Sequence, residues 1–314
     1  MQKTGVIFPP RRSNLLPPLA SLFRFESLAI ITILLTYGLI VLGGAVRATD
    51  SGTACPDWPL CHGQVIPRWD AHVLVEYSHR LVASIVGVLI FATAIWAWRR
   101  NRGDPIVSAA ALVSTVLLLV QVLVGAATVD TETNASVVAL HLSIALSLLA
   151  TLIVLALAAT RTNSDTSAAL PVLPIIVALG AFALVISGAY VSQEGAGLAY
   201  HDWPLFNGKL VSAGGRIADL HYAHRLLAAG LGALILALAA ATWRRERRPV
   251  VLVAVGLAVA MYIAQVFVGA ANIWFTLATP LRILHLALAS ALWAVLAFAT
   301  AWSYLSPGTK EGTR

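Results

Sequence analysis

Charge is the scarcest commodity in this chain. Asp, Glu, Lys and Arg together make up 11% of its 314 residues, and 59% are hydrophobic. A soluble globular domain carries about 25% charged residues, so composition alone excludes one. The sequence also lacks paired Gly or Pro breaks in the middle of its apolar runs. A transporter built from parallel repeats would need them to open a midplane binding site. Neither half supplies a third or fourth ligand at a spacing that suits zinc. The formal net charge of +7 invites a nucleic-acid reading, but its distribution excludes one.

Eight apolar runs, near 28–47, 74–98, 106–128, 136–160, 171–192, 219–243, 249–272 and 282–304, reach the roughly 20 residues that a helix needs to span a bilayer. With eight spans, both termini and three loops share one side. That side carries fourteen basic residues, among them Arg99, Arg100, Arg102, Arg244, Arg245, Arg247 and Arg248, against five acidic ones. This positive-inside pattern places both termini in the cytoplasm and the long loops 48–73 and 193–218 on the outer face. The first 27 residues are polar and hold four prolines, without a cleavable signal pattern. A prokaryotic inner (plasma) membrane is the expected address.

The two halves are copies. Asp57-Trp58-Pro59-Leu60 recurs as Asp202-Trp203-Pro204-Leu205, and Gln121-Val122-Leu123-Val124-Gly125-Ala126-Ala127 recurs as Gln265-Val266-Phe267-Val268-Gly269-Ala270-Ala271. A four-helix unit has even parity, so the copies run in the same direction, related by a pseudo-twofold along the membrane normal. The expected fold is an all-α integral membrane protein of eight transmembrane helices in two pseudo-twofold-related four-helix bundles. Its divisions are a cytoplasmic tail 1–27, bundles at 28–160 and 171–304, a linker 161–170 and a tail 305–314. The Gly-Ala-Ala triplets read as close-packing motifs, and Gln121 and Gln265 stay unassigned.

Glu76-Tyr77-Ser78-His79-Arg80 and His221-Tyr222-Ala223-His224-Arg225 each set ionisable groups just inside a helix, where they are costly and usually functional. His79 with His141, and His224 with His285, are depth-matched on two helices of one bundle. That is how membrane cytochromes grip a haem between two imidazoles. His221, one turn before His224, is an alternative ligand. Arg80 and Arg225 would meet haem propionates or snorkel toward headgroups. His62, His72 and His201 fall in loops.

The copies differ at Glu76, which replaces His221, and at Cys55 and Cys61, which replace Tyr200 and Phe206. A carboxylate one turn from His79 suits proton transfer in a partly dry site, or simply pairs with an arginine. In an oxidising compartment Cys55 and Cys61 default to a disulfide, as a structural staple or as an exchanging redox pair. The added groups mark the first half as the reaction site and the second as an electron carrier.

At these residues, from Gly43-Gly44-Ala45-Val46-Arg47 through Leu284-His285, the chain resembles the haem A synthase family. The resemblance implies oxidation of the C8 methyl of haem O to the formyl of haem A by successive hydroxylations. It implies haem O at His79 and His141, haem b at His224 and His285, Glu76 as catalytic carboxylate, and Cys55–Cys61 as a loop disulfide. The implied partners are the haem O synthase (protohaem farnesyltransferase) that supplies substrate, an electron acceptor, the lipid bilayer and further copies of the chain, with no nucleic acid. Some relatives carry a second cysteine pair in the second outer loop; this chain does not. A bis-histidine b-type cytochrome that only passes electrons is the alternative, and it leaves the asymmetry at Glu76 and the cysteines unexplained.

Overall fold

A computed structural model describes residues 24–68, 70–161 and 172–306, and these form eight long helices. They are α1 (Phe25–Ala48), α2 (Ala71–Arg100), α3 (Pro105–Asp130), α4 (Ala135–Thr160), α5 (Val172–Gln193), α6 (Arg216–Arg245), α7 (Pro249–Trp274) and α8 (Thr279–Leu305). All eight are long and apolar enough to cross a membrane. In lipid every backbone amide must bond within the chain, and a continuous helix does this by itself. The linker expected at 161–170 lies outside the described residues except for Arg161, as do most of the two tails.

Helix ends follow local chemistry. The Asp70 carboxylate caps α2 by accepting from His72 N and Val73 N, and Asp104 caps α3 by accepting from Ile106 N and Val107 N ahead of Pro105. Each satisfies amides that the first helical turn cannot. Helices α2 and α6 begin at Ala71 and Arg216, about a turn earlier than hydropathy predicts, because a helix can extend past its apolar stretch. His72 therefore lies on α2, its ring bonded to Ser51 Oγ at 3.0 Å. At the opposite face Arg161, at the end of α4, bonds Asp104 at 2.5 Å. The counterpart of Asp104 is Arg248, which donates to Ser306 O beyond α8. The same pin thus appears in both halves with its polarity exchanged. Hydrogen bonds from the Arg248 guanidinium hold the Glu246 carboxyl at about 2.

The packing repeats with the sequence. Within each half successive helices are neighbours, and the halves meet through α1, α4, α5 and α8. The main core lies on this seam: Leu146 and Leu149 of α4, Val177 of α5, Leu231 and Ile235 of α6, and Leu292 and Leu296 of α8 are all nearly inaccessible. Because lipid tails are as apolar as leucine, burial adds little drive between the halves, and close approach and hydrogen bonds carry the association. Trp293 Nε1 donates to Leu146 O at 3.1 Å, and Tyr37 Oη to Ala287 O at 3.1 Å. Arg47 donates to Ser192 O at 3.2 Å and Arg282 to Ala48 O at 3.1 Å at the outer end.

A methyl on Gly44 would stand 2.5 Å from Leu286 Cδ2, so α1 and α8 touch there only because residue 44 has no side chain. Replacing it with a branched residue, Gly44→Ile, is expected to cost about 1–3 kcal/mol by overpacking. The readout is a lower thermal midpoint in detergent. An unchanged midpoint would show that the seam does not depend on this approach.

Candidate functional site

Each of the four intramembrane histidines rests against a glycine of the neighbouring helix. His79 of α2 faces Gly43 of α1, and His141 of α4 faces Gly125 of α3. In the second half His224 of α6 faces Gly188 of α5, and His285 of α8 faces Gly269 of α7. A Cβ at these glycines would stand 3.0–3.2 Å from the ring Cε1, inside ordinary van der Waals contact. The glycines therefore hold the space that the imidazoles fill. Sequence reasoning gave Gly125 and Gly269 only a packing role and assigned Gly43 and Gly188 no role. The available signal was the offset of 145 from Gly43 to Gly188, which equals that from His79 to His224.

Each half holds two of these histidines, His79 on α2 with His141 on α4, and His224 on α6 with His285 on α8. Among the described residues, His79 and His285 make no hydrogen bond from either ring nitrogen, and their Nδ1 atoms are buried. Leaving such atoms unpaired costs free energy, about 1–3 kcal/mol each, unless another group binds there. No group of three or more His, Cys, Asp or Glu forms a metal cluster among the described residues.

The remaining partners differ between halves. Ser187 Oγ lies 2.8 Å from His224 Nδ1 and also donates to Leu184 O at 2.8 Å; its counterpart in the first half is Leu42. The Gln121 amide donates to His141 Nε2 at 3.3 Å, whereas Gln265 donates to the His285 backbone carbonyl at 2.9 Å.

Above each pair folds a loop of the same shape. Asp57 accepts from the amides of His62 and Gly63, and Asp202 from those of Asn207 and Gly208. These backbone donors, Gly63 and Gly208 foremost, hold both carboxyls below the usual carboxylate range. Positive φ at His62 and Gly63, and again at Asn207 and Gly208, turns the chain so that both amides point at the carboxylate. Both Trp-Pro bonds, Trp58-Pro59 and Trp203-Pro204, are cis.

An arginine fastens each loop to its helix. Arg80 donates to the carbonyls of Asp57 (2.6 Å), Leu60 (2.8 Å) and Cys55 (2.9 Å), and its remaining bond goes to Glu76 Oε1. Arg225 donates to the carbonyls of Asp202, Leu205 and Tyr200, and its Nε to His221 Nε2 at 3.0 Å. The two guanidinium groups considered above for propionates are thus spent largely on loop carbonyls. Arg225 also stacks over Tyr200 and Phe206, with ring centroids 5.7 and 5.1 Å away.

The divergent residues occupy one spot. In the first half Cys55 and Cys61 are joined as a disulfide, and Glu76, 4% exposed, accepts from Cys55 N at 2.8 Å. In the second half Tyr200 and Phe206 pack edge to face, centroids 5.1 Å apart, and His221 lies against Tyr200. His221 is therefore the positional equivalent of Glu76, engaged by the arginine, while His224 is the ring in the glycine seat.

The chain is similar to known proteins over most of its length. A family model, COX15-CtaA, described as cytochrome oxidase assembly protein, matches residues 26–297. A heme A synthase of Shouchella clausii is 33% identical over 287 residues, covering 87% of this chain and 95% of the relative. Heme A synthases of Alkalihalophilus pseudofirmus (30% identical, 88% and 97% covered) and Symbiobacterium thermophilum (33%, 83% and 89%) match similarly.

Removing the loop clamp is expected to free the loop without unfolding the bundle. In Arg80→Ala, hydrogen exchange of residues 53–64 should speed up at least about tenfold while the helices keep their protection. Unchanged exchange in that segment would show that the disulfide and Asp57 hold the loop alone.

Proposed function

This chain belongs to the COX15-CtaA family of cytochrome oxidase assembly proteins, and from that premise we propose a division of labour between its two halves. The protein is a haem A synthase, a multi-pass membrane oxidoreductase that converts haem O to haem A. Haem O is held in the first half between His79 and His141, and haem b in the second between His224 and His285. Both termini lie in the cytoplasm, and the two loops cover the sites at the outer face. The reading is supported by one observation above the others. The halves share helices, glycine seats and arginine clamps, and above the histidines they diverge where Cys55, Cys61 and Glu76 replace Tyr200, Phe206 and His221.

The C8 methyl of haem O would be hydroxylated twice, each time taking an oxygen atom from water and giving up two protons and two electrons to an external acceptor, and the gem-diol would lose water to leave the formyl group. Haem b, when bound, supplies one-electron transfer toward an external acceptor. The chain's own residues do the rest. Glu76 is the carboxylate that takes up protons beside the substrate. Cys55 N–H and the Arg80 guanidinium both donate to its oxygens and hold the carboxyl in place. The Cys55–Cys61 bridge keeps the Cys55 amide aimed at Glu76, so it serves first as a staple. Arg80 closes the loop over the first pair and limits water, which strengthens electrostatic interactions beneath it. The haem O synthase, a farnesyltransferase, delivers the substrate, whose apolar tail suits entry from the bilayer.

Glu76→Ala should retain both haems but lower product formation by about 100-fold or more, the scale of a lost general base. Full activity would refute the role. His224→Ala should abolish the haem b spectrum, and an intact spectrum would move the ligand to His221. Cys55→Ser should reduce turnover only in part; complete loss with haem still bound would assign the pair a redox step.

A further inference from the structure

We propose that side-chain hydrogen bonds at two of the four imidazoles, His224 and His141, make the second pair the more firmly held seat and the first an exchangeable one, with Ser187 and Gln121 as the positioning residues that set the difference; His79 and His285 have no such bond. The proposal rests on the assignment of haem b to the second half and haem O to the first.

The argument begins with one proton. A serine hydroxyl has a single hydrogen, and Ser187 donates it to Leu184 O at 2.8 Å. With that proton directed at Leu184 O, we assign the contact with His224 Nδ1, also 2.8 Å, as running from Nδ1–H to Oγ. That fixes the tautomer with the proton on Nδ1 and leaves the Nε2 lone pair for iron. A ligand histidine anchored through its other nitrogen is oriented and made more basic, and losing such a partner typically costs 10–100-fold in metal affinity. The first half has Leu42 at this position, and His79 Nδ1 is buried without a partner. His79 has neither a fixed tautomer nor an anchored ring.

The partner rings differ in the same direction. The Gln121 amide donates to His141 Nε2, a nitrogen that iron binding would need. A ligand entering the first pair must displace that amide, and the amide is in place to recover the nitrogen when the ligand leaves. Gln265, at the equivalent position, donates to the His285 backbone carbonyl, so it holds the helix and leaves the ring free. A substrate must enter and leave in every cycle, whereas a resident electron carrier must stay. Both differences favour release from the first pair and retention in the second.

The test uses purified full-length protein loaded with haem b and titrated with haem O. Two quantities are read: the rate at which each haem is lost to a haem-scavenging globin, and the midpoint potential of the haem b signal. Ser187→Ala should speed haem b loss about tenfold and raise its potential, since the ligand becomes less basic. Gln121→Leu should slow haem O loss about tenfold, and Gln121→Asn, too short to reach the ring, should do the same. Leu42→Ser should slow haem O loss by anchoring His79. A wild-type rate and potential in Ser187→Ala, with haem b lost in His224→Ala, would overturn the inference alone. Haem b retained in His224→Ala would overturn the assignment and the inference together. Unchanged haem O loss in both Gln121 variants would overturn the exchange mechanism at the first pair.

Discussion

Within a bilayer an unpaired polar group has no water to turn to, and most of this structure can be derived from that constraint. The helices satisfy their own amides. The loops over the two sites cannot, so each places a buried arginine beneath itself: Arg80 and Arg225 take up the loop carbonyls at equivalent positions. The same constraint isolates the histidines. Buried imidazoles with free nitrogens persist in apolar surroundings only where something is meant to bind them.

Duplication makes the constraint informative, because one half is a control for the other. Both halves keep the glycine seats and the Asp57 and Asp202 loop turns, which hold the histidines and the loops in equivalent places. Whatever differs has been released from that role or given another. The three replaced residues of the outer spot change together because they touch. A disulfide and a carboxylate below an arginine are exchanged for two aromatic rings and an imidazole that offers the same arginine an acceptor. The second half thereby places aromatic packing where the first half has its disulfide and the Glu76 carboxyl.

The eight spans, the repeat, the four histidines and the divergence at Glu76, Cys55 and Cys61 were all legible in the sequence. Hydropathy over twenty residues and identity at a fixed offset are local properties of the chain. The glycine seats were not, although their offset was visible, because a seat is a relation between two helices. Arg80 and Arg225 were expected as candidates to reach outward to a ligand or a headgroup. The folded loops instead bring carbonyls to them that lie 20–25 residues away in sequence. Gln121 and Gln265 stood out in mid-span but could not be assigned, and Ser187 was not singled out, since a polar residue in a span has many candidate partners.

Sequence by itself therefore determined the class of protein, its eight spans, its duplication and the four duplicated histidines, because these depend on side-chain type and spacing. Only the tertiary structure decided which ring faces which glycine, which arginine serves the loop, and which nitrogen of each histidine is engaged. Those depend on distances between helices, and no local pattern encodes them.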